Sequence, residues 1–138
     1  MLACKRVPKG IVCLKSAVRF HGLLPLDSAS IWMAIDPKAK KPVVNGLRSR
    51  FVRFSGQAFT QGVVNVRIDG VPVRIYSATK TIADCLKYRS KIGGNLAAKV
   101  LRESIARRKC SEQTLRHFAK ICRVGKLVQA AYSLVTGA

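Results

Sequence analysis

Acidic side chains are the scarcest feature of this 138-residue chain. Only 6 Asp and Glu residues stand against 26 Lys and Arg, which gives a formal net charge of +20. So few carboxylates leave little material for general acid–base catalysis or for binding a hard metal ion. A positive excess of this size indicates a polyanionic partner such as nucleic acid.

Metal-binding and membrane-spanning patterns are also missing from the sequence. The two histidines are far apart and the 5 cysteines include no CxxC pair, so we predict neither a metal nor another cofactor. No apolar run approaches the roughly 18 residues that a membrane span needs. An odd number of cysteines without paired spacing suits a reducing compartment, so we expect a soluble, cytoplasmic protein with no membrane partner.

What the chain does contain is an ordinary supply of core residues. Hydrophobic residues make up 49% of the sequence, and the length fits one domain over residues 1–138. The basic residues are interleaved with the apolar ones along the whole chain instead of forming a tail. We therefore predict a folded domain with a positive surface.

The clearest structural pattern runs from Ile68 to Arg89. Asp69-Gly70 lies between two runs that alternate apolar and polar residues, which predicts a β-hairpin with a two-residue turn. Ser77 can cap a helix, and beyond it the apolar spacing changes from two to about 3.6 residues. The predicted unit is a hairpin, a sharp corner and a helix over residues 78–90.

Similar reasoning assigns the other elements. We predict a helix over 9–21, strands over 30–35, 50–55, 63–68 and 71–76, and three further helices near the C-terminus. Asn95 is expected to cap the first of these, Ser111 with Glu112 to start the second, and Gly125 to precede the third. The predicted class is α+β: a small mixed or mainly antiparallel sheet of about four strands, an N-terminal helix and a C-terminal group of about four helices.

The alternation from Phe51 to Phe54 puts an arginine on one face of its strand. Phe51 and Arg53 face one way, whereas Val52 and Phe54 face the other. A mixed face of this kind is typical of a strand near the edge of a sheet.

Three segments together resemble a known family. GVPVRIYSATKTIADCLKYRSKIG, with VPKGIVCLKSAVRFHGL near the start and IWMAID between them, is similar to the C-terminal domain of AbiEi-type antitoxins of type IV toxin–antitoxin systems. The resemblance runs from about residue 7 to about residue 135. The family corner, Ser-Pro-x-Lys/Arg-Thr-hydrophobic-x-Asp, is matched by Ser77, Lys80, Thr81 and Asp84, with Ala78 where proline is usual.

The resemblance implies a function in two parts. Such domains contribute to DNA binding and are needed to neutralise a nucleotidyltransferase-like toxin. In the family they typically follow an N-terminal winged helix-turn-helix, to which no part of this sequence corresponds. We expect that module to be either removed by truncation or supplied by another chain.

Asp84 is the one acidic residue with two basic neighbours at helical spacing. Lys80 precedes it by four residues and Lys87 follows it by three, so all three side chains share a helix face. The structural interpretation is an exposed ion triplet that fixes the helix at the corner. In the functional alternative, Asp84 orders one of the lysines for a phosphate group.

The candidate DNA contacts are basic residues in two regions. No acidic residue occurs between Asp36 and Asp69, and a later predicted helix has a basic reverse face. Phosphate contacts from such residues would dominate affinity and make it depend steeply on salt. The candidates are Lys38, Lys40, Lys41, Arg48, Arg50, Arg53, Arg116, Lys120 and Arg123.

Three hypotheses of function follow from the sequence. The first is a non-enzymatic antitoxin or transcriptional regulator that binds DNA with little sequence specificity. The second is a protein-interaction module that neutralises an acidic, nucleotidyltransferase-like toxin without binding DNA. The third is a degenerate nuclease-like enzyme using Asp69 or Asp84, although the strand over 71–76 lacks the carboxylate that a metal-dependent nuclease needs.

Overall fold

A computed structural model describes residues 9–26, 30–40 and 48–137 of the chain. These residues form five strands and seven helices, which confirms the α+β class but adds one strand to the predicted four. None of the helices within these ranges is both long and apolar enough to cross a membrane. The strands are β1 (Ile11–Val12), β2 (Ile31–Ile35), β3 (Ser49–Arg53), β4 (Val63–Ile68) and β5 (Val71–Tyr76). The helices are α1 (Leu14–Phe20), α2 (Gln57–Thr60), α3 (Ala78–Lys87), α4 (Arg89–Ile92), α5 (Gly94–Ala106), α6 (Glu112–Ile121) and α7 (Gly125–Thr136).

The five strands form one mixed sheet in the order β3-β2-β1-β5-β4. β1 pairs parallel to β5 and antiparallel to β2, β2 pairs parallel to β3, and β4 pairs antiparallel to β5. β1 therefore joins the two halves of the sheet. The edge position predicted for the strand at Phe51 is confirmed, because β3 is the outermost strand on its side.

The strand that sequence reasoning missed is the central one, β1. Residues 9–21 were predicted to be one helix, but the helix begins only at Leu14, after the strand Ile11–Val12. Two residues are too few to show an alternating pattern, and the spacing of Ile11, Leu14 and Val18 also fits a helix. Leu14 turns the chain from strand to helix with φ of +47°, an uncommon value for a residue with a side chain.

The predicted hairpin is confirmed. Ile68 pairs with Val71, and the two residues between them, Asp69 and Gly70, have φ of +51° and +77°. Two successive positive φ values are those of a type I′ turn, whose twist matches that of the strands.

The corner after β5 leads into the most deeply buried helix of the fold. The Ser77 hydroxyl accepts a hydrogen bond from the Lys80 backbone N–H at 3.2 Å, so the predicted cap is confirmed. Every residue from Lys80 to Leu86 is buried, because α3 packs against α1, α5, α6 and α7. The helix ends at Lys87 and not at residue 90; Tyr88, at φ −102° and ψ 29°, separates it from the short α4.

The starts of the last three helices were predicted with mixed success. Ser111 caps α6 by accepting a hydrogen bond from the Thr114 N–H at 3.2 Å, as expected. The cap assigned to Asn95 is wrong, because α5 already begins at Gly94 and Asn95 lies within its first turn. Gly93 lies between α4 and α5 and has φ of +101°, a conformation that glycine adopts without a steric penalty. α7 begins at Gly125 itself.

Apolar side chains pack on both faces of the sheet. The larger cluster joins one face, through residues such as Ala34, Phe54 and Tyr76, to the buried sides of the helices. The smaller cluster covers the other face and includes Met33 and Val73. Burial on both faces explains why β2 consists almost entirely of apolar residues.

Gly62 provides a test of the packing around α3. Its φ is +80°, and a Cβ atom there would lie 2.9 Å from Cε1 of Phe118 and 3.0 Å from Cβ of Lys80. We expect Gly62→Ala to lower the free energy of unfolding by about 2–4 kcal/mol through overpacking and left-handed strain, measured by urea denaturation. The control is Gly125→Ala, because no atom lies within 4 Å of a Cβ at that helical position. A change within about 1 kcal/mol is expected for the control, and equal losses in the two variants would contradict this account.

Candidate nucleic-acid interface

The family-like corner places an ion pair inside the core and not on the surface. Lys80 Nζ lies 2.7 Å from Asp84 Oδ2, and the two side chains are 0% and 2% exposed. The predicted exposed ion triplet is therefore wrong. That prediction assumed that α3 has a solvated face, whereas this helix is enclosed on all sides by other elements.

The pair is completed by neighbours from three other elements. Lys80 Nζ lies 3.8 Å from the ring centroid of Tyr76 and 4.9 Å from that of Phe54, close enough for cation–π attraction. Asp84 Oδ1 accepts a hydrogen bond from the Cys122 thiol at 3.4 Å. Burial raises the pKa of Asp84 to about 6, and the Lys80 ammonium acts in the opposite direction. The carboxylate is thus ionised at neutral pH and bound to its lysine.

The other family-motif residues have different environments. Ser77 serves as the helix cap, and Thr81 is buried with a hydroxyl that has no hydrogen-bond partner among the described residues. Lys87 is only half-buried, at the C-terminal end of α3, where it faces a cleft. The functional alternative, in which Asp84 orders Lys80 for an external phosphate, does not fit a lysine with no exposed surface.

The cleft that Lys87 faces lies between α2 and α6 and has a volume of about 810 Å³; we name it the α2–α6 cleft. Basic side chains come from α3 and from the C-terminal end of α6, while polar side chains come from α2 and the residues beside it. No Asp or Glu of the part of the chain that the structure describes lines it. The lining residues are Ser55, Gly56, Gln57, Ala58, Gln61, Lys87, His117, Lys120, Ile121 and Arg123.

A second cleft, of about 700 Å³, lies at the β3 edge of the sheet; we name it the strand-edge cleft. The Arg50 guanidinium carbon lies 5.5 Å from the Trp32 ring centroid, and the buried Ser49 Oγ has no hydrogen-bond partner among the described residues. Among residues 9–26, 30–40 and 48–137, no Asp or Glu lines this cleft either. Its lining residues are Ser30, Trp32, Arg48, Ser49, Arg50, Phe51, Val52 and Lys91.

The two clefts share their supporting elements. β3 lines the strand-edge cleft through Val52, and Ser55, three residues later, lines the α2–α6 cleft. On the helical side, Lys87 faces one cleft and Lys91, one turn further along the chain, faces the other. We call the cationic residues that line the two clefts, taken together, the basic surface. Its six cationic residues are Arg48, Arg50, Lys87, Lys91, Lys120 and Arg123.

Four of the nine predicted contact residues belong to this basic surface: Arg48, Arg50, Lys120 and Arg123. Two others have protein partners. Arg53 donates to the backbone carbonyls of Asp36, Pro37 and Ala39 at 2.6–3.2 Å, and Arg116 pairs with Glu112 at 2.8 Å.

The remaining candidates lie elsewhere. Lys38 and Lys40 follow the C-terminal end of β2, whereas Arg48 lies next to its N-terminal end, where Ile31 pairs with Ser49. Lys41 lies outside the described residues.

Sequence reasoning missed the contributions of Lys87, Lys91 and His117 to these clefts. Lys87 and Lys91 are only four residues apart, but nothing in the spacing links them to His117, because α3 and α6 are separated in the sequence and meet only after folding. The other histidine, His21, lies at the end of α1, and its Nε2 is 2.7 Å from the carbonyl oxygen of Tyr76.

The described ranges contain no group of three or more His, Cys, Asp or Glu side chains that could hold a metal ion. Comparison with known proteins adds no identification, since no protein-family model and no curated protein matches this chain.

The core ion pair yields a prediction about stability. Asp84→Ala leaves the Lys80 ammonium buried without a partner, so we expect the free energy of unfolding to fall by about 3–5 kcal/mol. The double variant Lys80→Met/Asp84→Leu should be more stable than Asp84→Ala, because no unpaired charge remains in the core. Urea denaturation at pH 7 measures both.

The matched control for this prediction is the exposed pair of Arg116 and Glu112, which has the same four-residue spacing. Glu112→Ala should cost under about 1 kcal/mol. A double variant no more stable than Asp84→Ala would show that the penalty does not come from an unpaired charge.

Proposed function

We propose that this chain is a non-enzymatic nucleic-acid-binding domain that contacts DNA through the basic surface formed by the two clefts. The observation that carries the proposal is the convergence of six cationic residues on two neighbouring clefts that no carboxylate of the described residues lines. Arginine and lysine bind phosphate oxygens through charge-assisted hydrogen bonds, and arginine can do so with two parallel bonds. Such a surface fits a phosphate backbone.

The distribution of the acidic residues supports the same partner. Asp84 is neutralised in the core, Glu112 pairs with Arg116, and Asp69 lies in the hairpin turn. None of them lines either cleft, so these carboxylates do not offset the attraction of the six cationic residues for a polyanion. Contacts of this kind are to phosphates, and we therefore propose weak sequence specificity.

The resemblance to AbiEi-type antitoxins gives this proposal a biological setting. We propose that the domain acts in a type IV toxin–antitoxin system, as an antitoxin or regulator whose basic surface contributes DNA affinity. The sequence-predicted contacts Arg48, Arg50, Lys120 and Arg123 remain in the proposed interface. Lys87 and Lys91 join them, whereas Arg53 and Arg116 do not.

A second candidate function is favoured by the C-terminal helix. Leu134 on α7 is 87% exposed, more than any other large apolar side chain that the structure describes. A partner protein such as a nucleotidyltransferase-like toxin could cover it. Co-purification of that partner after nuclease treatment, lost in Leu134→Gln, would support this alternative over DNA binding.

Salt dependence tests the proposed interface directly. Six phosphate contacts predict that log K falls with log salt concentration with a slope of about −5. Fluorescence anisotropy of a labelled duplex between 50 and 200 mM NaCl measures it. Arg48→Gln/Lys91→Gln should reduce the slope by about 2, because two contacts are removed.

The control removes the same charge from another surface. Lys99 and Arg102 are exposed on α5 and line neither cleft, so Lys99→Gln/Arg102→Gln should leave the slope unchanged. Equal effects of the two double variants would show that binding follows total charge and not this interface. Absence of binding at 50 mM NaCl would reject DNA as the partner.

A further inference from the structure

Arg123 occupies a backbone position that usually belongs to glycine. At the end of α6 the Val124 N–H donates to the Ala119 carbonyl at 2.8 Å, and the Arg123 N–H donates to the Lys120 carbonyl at 3.1 Å. These two bonds form a Schellman motif, with Arg123 at the left-handed position and φ of +61°. A residue with a Cβ is strained there, whereas glycine is not.

The strain alone does not mark a site, because Arg108 repeats it at the end of α5. There the Lys109 N–H donates to Ser104 at 2.8 Å, the Arg108 N–H donates to Ile105 at 3.1 Å, and φ is +54°. The difference lies in the surroundings of the side chains. Arg108 lines neither cleft, whereas Arg123 lines the α2–α6 cleft with two lysines and a histidine.

Within the described part of the chain the cationic groups of the α2–α6 cleft form no ion pair, and Lys87 Nζ lies 5.6 Å from the ring centroid of Tyr88. The ion pairs found there are Lys80–Asp84 and Arg116–Glu112, and neither involves Lys87, Lys120 or Arg123. The side chains of Lys120 and Arg123 make no hydrogen bond in the same ranges. The Schellman amides already bind the carbonyls of Ala119 and Lys120, so the negative end of α6 is partly neutralised.

The size and charge of the cleft indicate what it could hold. A volume of about 810 Å³ falls within the roughly 300–1,000 Å³ that is usual for small-molecule sites. Three cationic side chains match a terminal phosphate group, with a charge of about −1.5 to −2 at pH 7, better than a phosphodiester with a single charge. Ser55, Gln57 and Gln61 supply hydrogen-bonding groups on the facing wall.

We propose that the α2–α6 cleft binds a phosphate monoester, the terminal phosphate of a nucleic-acid strand or of a nucleoside monophosphate, through Lys87, Lys120 and Arg123. The proposal deepens the proposed function, on which its nucleic-acid form rests. It adds a second role to the α2–α6 cleft: its three cationic residues, which contact backbone phosphates of a duplex in the proposed function, bind a terminal phosphate more tightly.

The test compares two single-stranded oligonucleotides that differ only in a 5′-phosphate or a 5′-hydroxyl. Their binding at 100 mM NaCl is followed by fluorescence anisotropy of a 3′ label, and adenosine 5′-monophosphate binding is measured by isothermal titration calorimetry. We expect the 5′-phosphate to tighten binding about 10-fold, and Arg123→Gly to abolish that preference.

Arg108→Gly is the matched control, because it makes the same substitution at the same position of a second Schellman motif. Both glycine variants should unfold at a urea concentration no lower than that of the parent protein, since glycine relieves the left-handed strain. Only Arg123→Gly should change phosphate binding. A loss of preference in both variants would overturn the assignment to this cleft.

The two sources of the phosphate give different results. A 5′-phosphate preference that disappears in Arg123→Gly supports a strand end. Adenosine 5′-monophosphate binding that depends on Arg123, without a preference between the oligonucleotides, supports a free nucleotide, even if duplex DNA does not bind. Equal binding of both oligonucleotides with no nucleotide binding overturns the inference, while the salt dependence carried by Arg48 and Lys91 remains a separate test of the proposed function.

Discussion

The buried ion pair between Lys80 and Asp84 is the constraint around which the rest of the structure is arranged. Removing two charges from water costs several kcal/mol per ion unless geometry and further bonds compensate. Here the ammonium and carboxylate are 2.7 Å apart, aromatic rings of Phe54 and Tyr76 face the lysine, and the Cys122 thiol donates to the aspartate. Strand β5 and the residues that directly follow β3 and α6 therefore supply groups that meet at α3.

That arrangement has a consequence for how α3 is oriented. The helix is buried around its whole circumference from Lys80 to Leu86, so an amphipathic stripe cannot determine its rotation. Lys80 and Asp84 belong to the same helix and stay paired in any rotation of it, but their contacts with Phe54, Tyr76 and Cys122 form in only one rotation. We infer that the pair selects the rotation of α3, which in turn sends Lys87 towards the α2–α6 cleft. A core interaction thereby helps to position the basic surface.

The same pair also affects the distribution of charge outside the core. The sequence has only 6 acidic residues, and one of them, Asp84, is paired in the interior, where it cannot offset the surface cations. The cationic residues of the two clefts come from β3, α3, α4, α6 and the segments beside them, and they repel one another. The packing of these elements keeps the cationic groups close together despite their repulsion, and a bound polyanion would reduce that repulsion.

Local signals in the sequence predicted several elements correctly. The type I′ turn at Asp69-Gly70, the caps at Ser77 and Ser111 and the edge position of β3 each depend on a few adjacent residues. The prediction failed where length or distant contacts decide the structure. β1 has only two residues, which are too few to show an alternating pattern. No sequence signal was recognised for the end of α3 at Tyr88. The spacing of its charged residues alone also does not distinguish a helix enclosed in the core from a helix on the surface.

For the candidate site, the division between sequence and tertiary structure is similar. The sequence by itself determined the sign of the net charge, from which we expect a polyanionic partner, because the excess of Lys and Arg does not depend on folding. It also indicated Arg48, Arg50, Lys120 and Arg123 as candidates. Only the tertiary structure decided which cations share a cleft and which are engaged by protein groups, since Lys87 and Arg123 are far apart in the chain and meet through the packing of α3 against α6. Charge is a sum over residues, whereas a binding site requires positions in space.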